Sequence, residues 1–414
     1  MRQLIILFAL MPVVATAQIS IVEYRNMVIE YSYTLKKNDI AIDYATALYQ
    51  VKRTDFLPSL TISGEFSEQF RDLDNQEQWN FSMQPQISQT IYNGGSVRAT
   101  AQKAALAVEA AKADRRYSLL EICYTADYAY YDLMAKGSYR DAVVEYVSII
   151  SSLKRVVELR YDEGYISKGD LLMIETRLSE ALYEQIALDE DYTIALQKFN
   201  ILRGFEADAE VELYDIDVER VVPPQRASLE ELLDRRPDYM ASLLAEAEAE
   251  SSIVIARAAY NPTLSLGAAS LWRTQSPNVN GSTTMDGSLF LRLSAPIFHF
   301  GERRHAVNAA YELRRSSSIT TLDLIDAIRL EESNMWASVV DSKAQLDAAR
   351  QSLSIGSENL EISTYSYSEG LTTILDVMQA QISWLQLYAN SIWSEFNYLI
   401  SISAYRKIAA IDEL

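Results

Sequence analysis

Few residues in this chain have the type and spacing that catalytic or metal-binding chemistry requires. His299 and His305 are its two histidines, six residues apart, the wrong interval for two ligands on one helical face. The single cysteine, Cys123, has no neighbouring histidine to draw off its proton. It reads as a packing residue rather than a nucleophile, and one cysteine excludes a disulfide framework or a Cys-rich cluster. Gly94-Gly95 lacks the glycine spacing that cradles a phosphate. Carboxylates are abundant, with 57 Asp+Glu against 37 Lys+Arg for a net charge of −20, but they fall on helical stretches as solvated faces. That balance also argues against nucleic acid, which needs clustered cations for its phosphates. Asp170 and Asp376 each follow a Ser or Thr by three residues, and Tyr367 closes a long apolar seam. An acid so placed either begins a helix, where the dipole favours a carboxylate, or serves a site of its own; Tyr367 is equally a seam residue. No enzyme and no cofactor is assigned.

Those residues are positioned by an internal repeat. ISQTIYNGGSVR, around residue 90, has its counterpart in LSAPIFHFGERR, and YDEGYISKGDLL (161–172) has its own in YSEGLTTILDVM (367–378). Gly95/Gly301, Arg98/Arg304, Tyr161/Tyr367, Gly164/Gly370, Ser167/Thr373 and Asp170/Asp376 all share one offset, 301 − 95 = 206. Residues 96–163 and 302–369 contain no proline. They carry apolar residues at alternating intervals of three and four, from Leu119, Ile122, Ala126, Ala129 and Leu133 to Val157 and Tyr161 in the first copy. That period specifies long helices that wind around neighbours, each about 100 Å at 1.5 Å per residue. Lys136, Arg140 and Lys154 interrupt the seam, so it is not a simple dimer zipper. Gly164 and Gly370 fit the left-handed residue that ends a helix, and Ser167 and Thr373 fit the N-caps of return helices.

Before each long helix the period changes to two. SLTISGEFSEQF puts Leu60, Ile62, Phe66 and Phe70 on one face and polar residues on the other. Trp79, Phe81, Met83, Ile87 and Ile91 alternate likewise, as do Leu264, Leu266, Ala268 and Trp272, then Leu289, Leu291, Leu293 and Ile297. Such strands suit a transmembrane barrel with a wet lumen, and equally a half-buried soluble sheet. Two hairpins cannot close a barrel around a lumen, so a barrel would need partner chains. Pro58 and Pro262 mark where preceding helical segments, 21–56 and 229–260, must end, and Ser228 with Glu231 fits a capping box. MRQLIILFALMPVVATA, with Arg2, an apolar run from Leu4 to Val14 and Ala15-Thr16-Ala17, reads as a cleaved secretory signal without a lipid-anchor cysteine after it. No later apolar segment is long enough for a transmembrane helix. The chain thus divides into a signal at 1–17, a first repeat at 18–203, a linker at 204–227 and a second repeat at 228–414. The first repeat holds strands at about 59–70 and 79–91, a long helix at 96–163 and a return helix at 167–203. The second holds strands at about 263–273 and 287–298, a long helix at 302–369 and a return helix at 373–410.

The two strand-to-helix junctions, RRPD at 235–238, IARAAYNPTLSL at 255–266 and the two tip motifs together resemble the TolC-type outer-membrane efflux proteins. The resemblance covers nearly all of the chain after the signal. It implies a mainly α fold with a transmembrane β part: a homotrimer whose four strands per chain make a twelve-stranded barrel in outer-membrane lipid, with a helical tunnel in the periplasm. It implies an exit duct that receives substrate from a periplasmic adaptor and an inner-membrane transporter. The adaptor would dock on Gly164, Tyr165, Ile166 and Ser167 and on Gly370, Leu371, Thr372 and Thr373. Asp170 and Tyr367 match residues that hold the tunnel end closed, and Asp376 matches a carboxylate that forms an acidic ring when repeated threefold. Thr372 stands where a basic gate residue can occur, Gln379 where a second acid can follow, and the sequence stops at Leu414, soon after the last helix. The rival from another class is a periplasmic coiled-coil scaffold whose strands form a soluble sheet.

Overall fold

Residues 18–68, 79–274 and 283–411 are described by the computed structural model. The signal at 1–17, residues 69–78 (which include Phe70), residues 275–282 and the last three residues lie outside them. The chain runs α1 (Ile21–Tyr31), α2 (Tyr33–Thr54), β1 (Ser59–Glu68), β2 (Trp79–Tyr92), α3 (Ser96–Asp162) and α4 (Lys168–Leu202). A 3-10 turn at Val218–Arg220 follows, then α5 (Leu229–Arg235), α6 (Pro237–Ala258), β3 (Thr263–Arg273), β4 (Thr284–Ser294), α7 (Glu302–Ser368) and α8 (Ile374–Ile408). It is a duplicated unit of one β-hairpin and one long helical hairpin. Among the described residues no helix is both long and apolar enough to cross a membrane.

The backbone repeats as the sequence does. Positive φ occurs at Gly94, Gly95, Gly164 and Gly204, and again 206 residues later at Phe300, Gly301, Gly370 and Ala410. At two of these four pairs the second copy keeps the left-handed turn without glycine (φ 49° at Phe300, 47° at Ala410), so the turn is retained against a steric cost of about 1–2 kcal/mol. The fourth strand differs from its expected span of 287–298. It begins at Thr284 because Asp286 and Gly287, which suggest a turn by type, pair with Leu271 and Ser270. It ends at Ser294 because Pro296 has no N–H to give the ladder. The segments 21–56 and 229–260 are each broken once, at Ser32 and at Arg236 before Pro237.

The chain forms two compact units. One takes residues 36–117 and 236–327 and contains the sheet, antiparallel in the order β1-β2-β3-β4. Its register lines up Leu60, Ile87, Ala268 and Leu289 as an apolar row across all four strands, and Glu65, Ser82, Arg273 and Thr284 as a polar one. Beside it Lys103 Nζ donates to Ser252 Oγ at 3.1 Å, and Arg314 reaches both Glu246 and Glu250 at 3.4 Å. Among the described residues strands β1 and β4 have one neighbour each. Both sheet faces are largely uncovered, with Leu289 86% exposed.

The other unit takes the described parts of 1–35, 118–235 and 328–414. Here α3 lies between α4 and α8, and α7 packs on α8. Tyr139 donates to Glu184 (2.7 Å) and Arg177 to Tyr146 (2.9 Å) between α3 and α4, while Lys407 bridges α8 to Glu121 of α3 (3.0 Å). Arg350 donates to Glu395 between α7 and α8 (2.8 Å). The polar seam residues therefore have partners: Arg140 stacks on Tyr192 of α4, and Lys154 reaches Glu175. A buried charged hub fastens α1, α3 and α8. The Asp127 carboxylate accepts from Arg25 Nε and Nη2, the Nη2 bond at 2.7 Å, and from Ser403 Oγ at 2.6 Å. The linker holds the N-terminal segment through a parallel bridge of Ile19 with Leu213. The Tyr130 hydroxyl lies 2.9 Å from both the Ile19 and Tyr214 carbonyl oxygens.

Candidate functional site

The repeat concentrates its turn and capping chemistry at the two hairpin tips, where α3 meets α4 and α7 meets α8. The first turn closes with Gly164 N–H on the Tyr161 carbonyl (2.9 Å) and Tyr165 N–H on that of Arg160 (2.8 Å). The second repeats it, with Gly370 on Tyr367 (3.0 Å) and Leu371 on Ser366 (2.8 Å). A Cβ at Gly164 or Gly370 would meet no atom within 4 Å, so each is required for its positive φ and not for space. Tyr165 and Leu371 project into solvent at equivalent places, and Ile166 packs on the core beneath.

Asp170 and Asp376 have local partners. Asp170 Oδ2 accepts from the Ser167 N–H (3.0 Å) and hydroxyl (2.9 Å), and Ser167 Oγ accepts the Asp170 N–H, a capping box that starts α4. Asp376 Oδ2 accepts from the Thr373 hydroxyl (2.6 Å), the Thr372 hydroxyl (2.7 Å) and the Thr373 N–H (3.0 Å). Those donors, the Thr373 hydroxyl first, hold the exposed Asp376 carboxyl below its ordinary range. Thr372 is thus a donor to Asp376.

Tyr367 is 4% exposed, and its hydroxyl, buried, has no hydrogen-bond partner among the described residues. Burial pushes the phenol up, the Arg160 cation offsets part of that, and the Asp170 charge adds to it. Tyr367 and Asp170 line one groove of 690 Å³ with Arg160, Glu163, Glu369 and Thr372. The structure brings them into that groove without a hydrogen bond between them. Arg160 is the residue that sequence spacing misses. Its guanidinium carbon lies 4.6 Å from the Tyr367 ring centroid, and its Nη2 donates to the Ser368 carbonyl at 2.9 Å. The available signal is the break in the repeat, since its counterpart is Ser366. Elsewhere, among the described residues, no group of three or more His, Cys, Asp or Glu is placed to hold a metal ion. His299 instead packs edge-on to Tyr260.

The model of a family described as outer membrane efflux protein matches residues 25–202 and 228–404, one match per repeat. A curated relative, nodulation protein T of Rhizobium leguminosarum bv. trifolii, is 24% identical over 376 residues, 84% of this chain and 79% of its own. Among solved structures, CusC superposes with a TM-score of 0.84 at 16% identity, covering 94% of this chain and 91% of that one. The Campylobacter jejuni CmeC outer membrane channel gives 0.82 at 18% (94% and 85%). The outer membrane protein VceC from Vibrio cholerae gives 0.79 at 17% (94% and 96%).

Proposed function

Because the chain belongs to the outer membrane efflux protein family, we propose that three copies pool their strands into one closed twelve-stranded barrel through which substrates leave. The protein is an outer-membrane efflux channel whose helical hairpins form a tunnel on the periplasmic side. Membership in a family of efflux channels sets aside the soluble-scaffold alternative and makes this a channel family rather than an enzyme family. The open sheet carries the proposal. Among the described residues strands β1 and β4 each lack a second neighbour, and Leu60, Ile62, Phe66, Leu289, Leu291 and Leu293 are exposed. An apolar face and two unpaired edges are tolerated in lipid only if other strands close the ring.

On this reading the helical tips face the periplasmic partners. An adaptor docks on Gly164–Ser167 and Gly370–Thr373, where Tyr165 and Leu371 are exposed, and an inner-membrane transporter supplies the energy. Asp170, Tyr367 and Asp376 lie at the constriction, and Asp376, kept ionised by three donors, recurs three times as a cation-favouring ring. The test is the size and conductance of the full protein purified in detergent. A mass of three chains and discrete channels in a planar bilayer are expected. A monomer that never inserts ends the proposal.

A further inference from the structure

Arg160 sits in the last turn of α3, and its carbonyl already closes its own tip turn by accepting from Tyr165. Its side chain leaves the first repeat. The guanidinium lies over the Tyr367 ring, 4.6 Å from the centroid, while Nη2 donates to the Ser368 carbonyl at 2.9 Å. Ser368 is the last residue of α7, so that oxygen is one of the carbonyls a helix end leaves without an intrahelical partner, where a cation is favoured. Stacking, hydrogen bond and helix dipole therefore act on one side chain in one direction. Ser366 stands at the counterpart position, so the second repeat cannot return the contact.

The receiving side is equally specific. Tyr367 is 4% exposed, and its hydroxyl makes no hydrogen bond among the described residues. Asp170, on the matching turn, acts on the phenol through its charge and is itself engaged by the Ser167 N–H and hydroxyl. Tyr367 offers Arg160 its ring face, and its hydroxyl, close to the same cation, makes no hydrogen bond of normal geometry with it.

We propose that Arg160, stacked on the Tyr367 ring and bonded to the end of α7, is a latch that ties the two hairpin tips of one chain together and keeps the tunnel end narrow. Thr372 leaves the second tip without a cation, and Arg160 supplies one from the first. The proposal rests on the reading of the chain as a channel constricted at its tips.

Full-length Arg160→Ala, Arg160→Lys, Tyr367→Phe, Tyr367→Ala and the Arg160→Ala/Tyr367→Ala double variant, each checked for trimer mass and helix content, are compared with wild type in planar bilayers. Loss of a partly desolvated stack should raise open-state occupancy roughly tenfold in Arg160→Ala and Tyr367→Ala. The double variant should add little to either, because both remove one contact. Arg160→Lys, with charge but no planar fork, should fall between them and wild type. Tyr367→Phe, which keeps the ring, should open far less than Tyr367→Ala. If Tyr367→Ala opens and Arg160→Ala does not, the latch is wrong. If Tyr367→Phe opens as far as Tyr367→Ala, the hydroxyl holds the tip and the ring-face argument falls. If inserted trimers of every variant stay silent, the channel reading fails, and the latch with it.

Discussion

The two helical hairpins have the same lengths, 67 residues for α3 and α7 and 35 for α4 and α8, yet they are held together by different chemistry. In the first, aromatic and charged groups meet across the seam: Tyr139 with Glu184, Arg177 with Tyr146, Arg140 with Tyr192, Lys154 with Glu175. In the second, one charged pair, Arg350 with Glu395, and Lys343 over the Tyr398 ring stand among smaller contacts. The Ser342 and Ser401 hydroxyls meet at 2.8 Å, Trp384 Nε1 donates to Ser357 at 3.2 Å, and Leu387 fills the space beside Gly356. Burial follows the chemistry. Helix α8 buries Val377, Trp384, Phe396, Leu399, Tyr405 and Ile408, whereas α4 leaves Tyr183 78% exposed and Ile186 and Ile194 exposed as well. Duplication has kept the backbone and divided the labour of its surfaces. The second return helix packs into its own chain, while the first keeps an apolar stripe on the outside, where a trimer would place a neighbour. The long helices show the reverse: α3 buries Tyr130, Leu133, Val143, Tyr146 and Ile150, whereas α7 leaves Leu322, Leu330 and Ile355 exposed.

The largest test of that division is at the hubs. Asp127→Ala leaves Arg25 buried without its carboxylate and should cost about 3–5 kcal/mol, seen as a lower melting temperature of the detergent-solubilised protein. Glu332, the second repeat's buried acid, pairs with an Arg226 whose side chain is 53% exposed, against 11% for Arg25. Glu332→Ala should therefore cost distinctly less, because solvent can take back the freed cation. Equal losses would erase the contrast.

Next come the matched levels Ile150 and Gly356. Ile150 is fully buried, and Ile150→Ala should cost about 3 kcal/mol through lost packing and a cavity. At Gly356 a Cβ would lie 2.5 Å from Leu387 Cδ1, a flexible side-chain end. Crowding there is partly offset by the better helix propensity of alanine, so Gly356→Ala should change stability by no more than about 1 kcal/mol. Thermal melts of the two variants should separate clearly; a larger loss at Gly356 would mean that the second seam is the more tightly packed.

The helix ends Gly204 and Ala410 give a smaller pair of opposite sign. A Cβ at Gly204 would strike the Tyr31 ring at 2.3 Å and would have to adopt φ 81°, so Gly204→Ala should cost about 2 kcal/mol. Ala410 already carries the unfavourable φ, and Ala410→Gly should gain up to about 1 kcal/mol. A destabilised Ala410→Gly would show that the alanine side chain contributes packing that outweighs its strain.

The smallest effect is confined to the second tip. The folded pKa of Asp376 lies below its ordinary 3.8, so its contribution to stability is present above that value and is lost as pH falls through the folded one. Hydrogen exchange of the Ile374–Val377 amides, corrected for intrinsic rates, should accelerate in acid below about pH 4. Thr373→Ala should already show faster exchange at neutral pH. Identical acid responses in wild type and variant would deny the threonine its part.

Much of the fold class was legible because its signals are local. A 3.5-residue period extends over many turns, a two-residue period replaces it at the strands, and the 206-residue offset recurs at both ends of the long helices. The left-handed turns at Phe300 and Ala410 were not legible, because neither residue type announces that conformation; only their glycine counterparts do. The start of β4 was hidden by Asp286 and Gly287, turn-like residues that a neighbouring strand enrols in its ladder. At the tips, the family resemblance pointed to Asp170, Tyr367 and Asp376 but not to what each touches. The capping contacts of Asp170 and Asp376 reach back three or four residues and could be anticipated. Arg160 contacts a carbonyl 208 positions away, and Asp127 binds partners 102 and 276 positions away.

The sequence by itself determined that this protein is one unit written twice, where its helices turn, and that its strands cannot complete a barrel alone, because period, turn propensity and strand count are properties of neighbouring residues. Only the tertiary structure decided that the first repeat sends an arginine across to the second, that Tyr367 presents its ring rather than its hydroxyl, and that α8 is buried while α4 keeps an open face. Those outcomes depend on the phase at which long helices meet, and on such rods a small change of phase exchanges one partner for another a turn away.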